Sequence, residues 1–166
     1  FWGYKRADLL LVTKAPEHMA DRQQLQCAEK FTADAKAQLY FSVIQYADLI
    51  GVFTQEKLEL DCLKGKAVFL LTGIANPQPL LEQLGKFVAV VFHHDYPDHH
   101  DFTRNNIIKL LGDFAGHPEK EKIIITTEKD AQRLFDEAFK ELLLNLPIFY
   151  LPIKIVIQAD RKETFN

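Results

Sequence analysis

Cysteine is almost absent: the 166 residues contain only Cys27 and Cys62. Two thiols cannot build a disulfide framework or a four-cysteine zinc site. Both fall at apolar positions, where a buried, reduced thiol is expected. Long hydrophobic runs are missing as well. The longest, Phe87 to Phe92, falls far short of the roughly 18 residues a membrane-crossing helix needs. Neither sign of charge is in excess, with 20 Lys and Arg against 23 Asp and Glu. That balance excludes a protein whose main task is gripping nucleic acid or an anionic membrane by charge. Glycine is scarce too, at 7 residues. Neither G-x-x-x-x-G-K-[ST] nor G-x-G-x-x-G occurs, and Gly65-Lys66 lacks both the upstream Gly and the following Ser or Thr. This chain therefore carries no P-loop cradle for a triphosphate and no dinucleotide fingerprint.

What is present is an ordinary globular mixture, 48% hydrophobic and 26% charged. The length suits one domain, 1–166, with no internal repeat or Pro/Gly/Ser linker. The opening Phe1-Trp2-Gly3-Tyr4 has no initiator Met and no signal-peptide core, so the chain reads as a piece of something longer.

Short apolar runs alternate with helical stripes. Strands are expected at Leu9–Val12, Leu39–Ile44, Val68–Leu71, Phe87–Phe92 and Ile123–Ile125, each four to eight residues long or close to it. A helical stripe through Ala20, Cys27, Ala28, Phe31 and Ala35 follows the first strand. Asn76 and Pro77 can open a second helix, with Gly85 at its C-terminal turn. Ile107, Ile108, Leu111, Phe114 and Ala115 form a third, ended near Gly116 and Pro118. A fourth is expected to carry Ala131, Leu134, Phe135, Ala138 and Leu142 on one face, behind a cap formed by Thr127 and Asp130. Leu58, Leu60 and Cys62 alternate with charged neighbours, as in a half-exposed strand. Ile153, Ile155 and Ile157 alternate likewise, and Pro147 and Pro152 place that last strand at an edge, open to antiparallel pairing. The pattern is that of an α/β fold: an open, mostly parallel, Rossmann-like sheet with helices on both faces.

Ligands of such sheets bind beyond the carboxyl ends of the strands. The strand-to-helix loops there hold Thr13-Lys14, Thr72 to Pro77, His93 to Asp101, and Thr126 to Asp130. Hydroxyls, lysines, histidines and carboxylates gather on that edge, whereas Glu119-Lys120-Glu121-Lys122 at the opposite end is plain charged surface. The segment His93-His94-Asp95-Tyr96-Pro97-Asp98-His99-His100-Asp101 holds four of the six histidines and three carboxylates. It suits a metal site, an acid–base group titrating near neutrality, or a polar loop that caps the next helix through Asp101 or Thr103. Thr127 and Lys129 could hold an anion at a helix start. A surface lysine beside a simple cap fits the same residues.

Taken in order, Arg6-Ala7-Asp8 to Val12-Thr13-Lys14-x-Pro16, then Thr72-Gly73-Ile74-Ala75-Asn76-Pro77-Gln78-Pro79, then Asp98-His99-His100-Asp101-Phe102-Thr103, then Thr126-Thr127-Glu128-Lys129-Asp130-Ala131-x-Arg133-Leu134 resemble the tetraacyldisaccharide 4′-kinase (lipid A 4′-kinase) family. The resemblance runs from Arg6 to about Ile157 and implies one lobe of a two-lobed enzyme. Such an enzyme transfers the γ-phosphoryl group of ATP, with Mg²⁺, to the 4′-hydroxyl of a lipid A disaccharide precursor at the cytoplasmic face of a Gram-negative inner membrane. The missing N-terminal lobe would carry the P-loop and the membrane contact. This C-terminal lobe alone is then expected to be inactive, to bind no cofactor tightly, and to engage no nucleic acid. The family's catalytic histidine maps onto His99, with Asp98 before it and His100 as the alternative. Thr13, Lys14, Asn76, His100, Thr127 and Lys129 are candidates for nucleotide or disaccharide contact. No residue is assigned to a metal. Asn105-Asn106-Ile107 departs from the family, which often has Asp before the Ile. Two other readings compete: a metal-dependent phosphoesterase built on Asp98-His99-His100, and a non-catalytic docking domain.

Overall fold

The described residues are 6–16, 19, 21–32 and 38–159 of a computed structural model. In chain order they form β1 (Leu9–Ala15), α1 (Asp21–Thr32), β2 (Gln38–Tyr46), β3 (Leu49–Gly51), β4 (Lys57–Leu58), a 3-10 turn (Leu60–Leu63), β5 (Ala67–Thr72), α2 (Gln78–Leu84), β6 (Val91–Asp95), α3 (Arg104–Gly116), β7 (Lys122–Thr127), α4 (Glu128–Leu134), α5 (Glu137–Leu143), β8 (Ile148–Leu151) and β9 (Ile153–Ala159). Ala20 and Ala35 of the expected first helical stripe lie outside the described residues, as do the side chains of Ala28 and Phe31 and the Phe1–Tyr4 opening.

The strand rhythm assigns everything to one sheet, but the strands divide between two. One sheet has the order β1-β2-β9 and the other β4-β3-β8-β7-β5-β6. The division follows two compact units, one built from the residues up to Gln45 and from Ile153 on, the other from Tyr46–Pro152.

In the first unit β1 and β2 run parallel, Leu9 opposite Gln38 and Val12 opposite Phe41. Ala15, Leu39, Phe41 and Val43 form its buried cluster, with Leu10, Val12, Met19, Cys27 and Val156 packed against them. Because side chains alternate across a strand, Leu9 and Leu11 of β1 and Ile153, Ile155 and Ile157 of β9 point away from that cluster and are exposed. β9 lies at an edge, as its prolines foretell.

In the second unit every residue of β5 is buried, the pattern of a strand covered on both faces. Phe69 and Leu71 face a cluster with Ile107, Leu110 and Phe114 of α3 and Leu134 of α4. Val68 and Leu70 face the other way, among Leu80 and Leu84 of α2 and Ile123 and Ile125 of β7. Burying each such side chain contributes about 1.5–3 kcal/mol of transfer free energy. β5 is parallel to β6 and β7, and β7 to β8; β3 joins β8 antiparallel and carries β4. The ends of the unit meet: Ala47 N donates to Pro152 O at 3.0 Å.

Several local expectations are corrected. The strand expected at Phe87–Phe92 lies at Val91–Asp95, because Phe87 and Val88 still turn off α2, their N–H groups donating to Leu84 O. A continuous apolar run carries no period that marks this boundary. The single helix expected behind β7 is broken: Asp136 leaves helical geometry and accepts from Ala138 N, starting α5. Phe135 and Ala138 are consequently exposed, Phe139 and Leu143 are buried, and Leu142 is half-buried against the same cluster. Of the alternation Leu58-Leu60-Cys62, only Lys57–Leu58 pairs as strand, and Leu60–Leu63 is a 3-10 turn. Gly85 closes α2 in right-handed geometry. The short β3 and β8 have no counterpart in the sequence reading.

Candidate functional site

β5, β6, β7 and β8 point the same way, so their carboxyl ends form one edge of the second unit. β5 leads through α2 to β6 on one side, whereas β7 leads through α4 and α5 to β8 on the other. Loops leaving in opposite directions open a crevice between β5 and β7.

The histidine-rich segment is not one loop. His93, His94 and Asp95 are the last residues of β6, and only Tyr96 onward leaves the sheet. Alternation sends the first two imidazoles to opposite faces. His93 Nε2 lies 2.8 Å from the buried Thr72 hydroxyl, which also donates to Asp95 at 3.3 Å. His94 is buried, with Nε2 3.4 Å from Asp113 of α3. Burial lowers both imidazole pKa values, against the opposing charges of Asp95 and Asp113. His94 also borders a groove of about 760 Å³ between β6 and α3, with Phe92, Tyr96, Lys109, Asp113 and His117 among its walls.

Beyond β6 the chain turns back across β5. Tyr96 N donates to Thr72 O at 2.9 Å and His99 N to Gly73 O at 3.1 Å. The turn places His99 at φ 60°, a left-handed conformation that strains a non-glycine residue. His99 is 73% exposed, with its Nε2 3.6 Å from Asp98 Oδ2 and 3.4 Å from Lys129 Nζ. Lys129 Nζ also donates to Asp98 Oδ1 at 3.3 Å. Partial desolvation pushes the Asp98 carboxyl up. The hydrogen bond from Lys129, the charges of His99 and Lys129 and the His99 N–H outweigh it and hold the carboxyl below the usual aspartate range. At His99 Nε2 a donor and an acceptor compete, so the ring's tautomer decides which it engages.

His100 is held differently. Its ring stacks on Tyr96 at 4.8 Å between centroids, and its Nε2 lies 3.0 Å from Asn106 Oδ1. That oxygen also accepts from Thr103 N at 2.8 Å, closing a capping box on α3. Of the two caps foreseen, Thr103 is the one used. Asn106 thus joins the helix cap to the imidazole.

The remaining candidates separate. Thr127 caps α4, accepting from Asp130 N at 3.1 Å while its own hydroxyl donates to Asp130 Oδ2 at 2.7 Å. Asn76 Oδ1 accepts from Gln78 N in the first turn of α2. Thr13 and Lys14 end β1 in the first unit, both exposed, with Lys14 at φ 56°. Sequence reasoning marked Gly73 only as a place for close backbone approach to a ligand, gave Arg133 no role of its own and took Asp130 as a cap. Asp130 is fully buried and accepts from Gly73 N and Arg133 as well as Thr127. Its shorter side chain, where such boxes favour Glu or Gln, was the available signal.

The four imidazoles therefore diverge toward Thr72, Asp113, Asp98 and Asn106. Among the described residues no three His, Cys, Asp or Glu side chains gather as a metal site. Asp98 is the one carboxylate at the His99 pair, and Lys129 holds its Oδ1, so these residues do not fit Mg²⁺. Among the described residues no helix is long and apolar enough to cross a membrane.

A model of the tetraacyldisaccharide-1-P 4′-kinase (LpxK) family matches residues 1–166. The chain belongs to that family. A tetraacyldisaccharide 4′-kinase of Bacteroides thetaiotaomicron is 32% identical over 173 residues, covering 99% of this chain and 46% of that protein. One from Parabacteroides distasonis is 35% identical over 168 residues, covering 99% and 45%. A crystal structure of LpxK from Aquifex aeolicus in complex with ATP overlaps 95% of this chain and 49% of that chain, with a TM-score of 0.47 and 17% identity. The chain thus spans about half the length of the curated relatives it matches. In this LpxK-family chain the Asp-His pair, the Thr-Gly turn and the Thr-Thr-Glu-Lys-Asp loop meet on one sheet edge.

Proposed function

We propose that this chain is the C-terminal lobe of a lipid A 4′-kinase. The whole enzyme transfers the γ-phosphoryl group of ATP to the 4′-hydroxyl of the tetraacyldisaccharide 1-phosphate precursor. The observation that carries the reading is the cluster of Asp98, His99 and Lys129 at the carboxyl edge of a parallel sheet, within a chain that belongs to the family. The pair projects from an open loop and is not walled by the neighbouring groove, as expected of half a composite site.

His99 is the acting imidazole in this reading. It is exposed, whereas His100 is stacked on Tyr96 and bonded to Asn106. His99 orients the group of the N-terminal lobe that takes the hydroxyl proton, and Asp98 and Lys129 hold the ring in place. A positioned acid–base group contributes roughly 10²–10⁴-fold to such a step. Triphosphate and Mg²⁺ are held by the P-loop lobe, since phosphoryl transfer rests on a phosphate cradle and a metal that this chain does not provide. Thr13, Lys14, Asn76, His100, Thr127 and Lys129 contact nucleotide or disaccharide once the lobes close.

The exposed apolar faces of β1 and β9 are where the N-terminal lobe packs; Leu9, Ile155 and Ile157 are 55%, 68% and 60% exposed. Membrane contact, at the cytoplasmic face of the inner membrane, belongs to that lobe. The test is a phosphorylation assay with ATP and the disaccharide 1-phosphate. The full-length protein is expected to be active, and the isolated chain to be inactive and to associate in sedimentation. A full-length protein that leaves the 4′-hydroxyl unmodified, or an isolated chain that hydrolyses ATP robustly, overturns the reading.

A further inference from the structure

Asp130 holds more partners than a helix cap requires. Thr127 already satisfies the Asp130 N–H, yet the Asp130 carboxylate is fully buried. It accepts from Thr127 Oγ1 at 2.7 Å, from Arg133 at 2.7 Å, and from Gly73 N at 3.0 Å, a residue 57 positions earlier. Arg133 supplies the positive charge that a buried carboxylate needs.

The bond to Gly73 matters because of what the same backbone holds. Gly73 N belongs to the peptide whose carbonyl, Thr72 O, accepts from Tyr96 N, and Gly73 O accepts from His99 N. A carboxylate on one end of a peptide strengthens the bond at its other end. Asp130 thus holds the peptide whose carbonyl anchors Tyr96, next to the Gly73 carbonyl that anchors His99, in a turn that keeps His99 at φ 60°. Such strain persists only where the surroundings over-determine it. The approach is close: a Cβ on Gly73 would sit 3.3 Å from Asp130 Oδ1, 3.4 Å from the Arg133 guanidinium and 3.5 Å from His100 Cβ. A side chain at Gly73 would thus press on the Asp130 carboxylate where α4 and the histidine turn converge on β5, and the carboxylate would have to give by a few tenths of an ångström.

We propose that Asp130 is a positioning residue that sets His99 through the backbone of Gly73. The role in turnover rests on the reading of His99 given above; the placement of His99 does not. The test uses the full-length protein labelled on histidine, with His99 signals assigned by their loss in His99→Gln. In Asp130→Asn the His99 amide is expected to shift and to exchange about tenfold faster. The imidazole ring signals of His99 shift, and kcat falls about tenfold or more while KM changes less than about threefold. Leu70→Ala serves as the control for lost stability alone, expected to lower the unfolding midpoint without altering His99 signals or kcat below that midpoint. If Asp130→Asn behaves like Leu70→Ala, the proposal is overturned. Should Asp130→Asn not fold, Gly73→Ala reads the same link from the other side, and unchanged His99 signals in it overturn the proposal equally. A wild-type protein that phosphorylates nothing, but whose His99 signals respond to Asp130→Asn, removes the kinase reading and leaves the link standing.

Discussion

Lys129 and Asp98 stand 31 residues apart in sequence, yet Lys129 Nζ lies 3.3 Å from Asp98 Oδ1. One comes from the first turn of α4, the other from the turn after β6, and the pairing helps hold the Asp98 carboxyl below the usual aspartate range. Lys129→Ala removes the bond that most lowers the Asp98 pKa, so the carboxyl rises toward its ordinary value. The acid limb of the pH–rate profile of the full-length enzyme is expected to move to higher pH. The unfolding midpoint is expected to stay where it is, because exposed pairs contribute little to stability. An unmoved acid limb would show that Asp98 ionisation does not limit the rate.

His99→Ala tests the imidazole itself. Turnover is expected to fall by roughly 10²-fold or more, while KM for either substrate changes far less, the mark of an interaction made in the transition state. Steady-state kinetics on the full-length protein check this. His100→Ala is expected to act mainly by loosening Tyr96 and Asn106, with a smaller loss of turnover.

His93 and His94 make stability depend on pH. Their folded-state values are lowered by burial, so the unfolded chain binds more protons on the acid side. Stability is therefore fully present above about pH 6.5, the ordinary histidine value, and is lost as pH falls below it toward the lowered folded values. His94→Gln should flatten that slope in unfolding midpoints measured from pH 7.5 to 5. A slope equal to that of the wild type would assign it to other groups.

Leu70 is fully buried between β5 neighbours and α2. Leu70→Ala is expected to cost about 2–5 kcal/mol in denaturant unfolding. A loss below about 1 kcal/mol would mean the cavity collapses at little cost.

How much of this was legible in the sequence depended on whether a signal was local. β5, β7 and α3 were, because Val68–Leu71, Ile123–Ile125 and the Ile107-Leu111-Phe114 stripe carry their own pattern. The carboxyl edge was legible too, since hydroxyls, histidines and carboxylates gather where strands lead into helices, at the end of β6 and in the loops after β5 and β7. The break at Asp136 was hidden because Phe135 and Ala138 extend the helical stripe through a residue that caps instead. β3 and β8 were hidden because three or four residues are too few to show a period. The assignment of β1, β2 and β9 to their own sheet could not be read, since strand pairing is set by long-range packing. Asp130 looked like a cap because its bond to Gly73 spans 57 residues and no local spacing encodes it.

The Ala47–Pro152 hydrogen bond makes the Tyr46–Pro152 unit a closed excursion, entered and left at one point. Such a segment behaves as an inserted module, since adjacent termini leave nothing to span when it is cut out or its ends are joined. Residues 46–152 expressed alone should give a cooperative unfolding transition, and a circular permutant opened at the exposed Glu119–Lys120 turn should keep it. The Asp98–His99–Lys129 cluster would travel intact with that module, because each of its residues, and Gly73 and Asp130 with them, lies between those two ends.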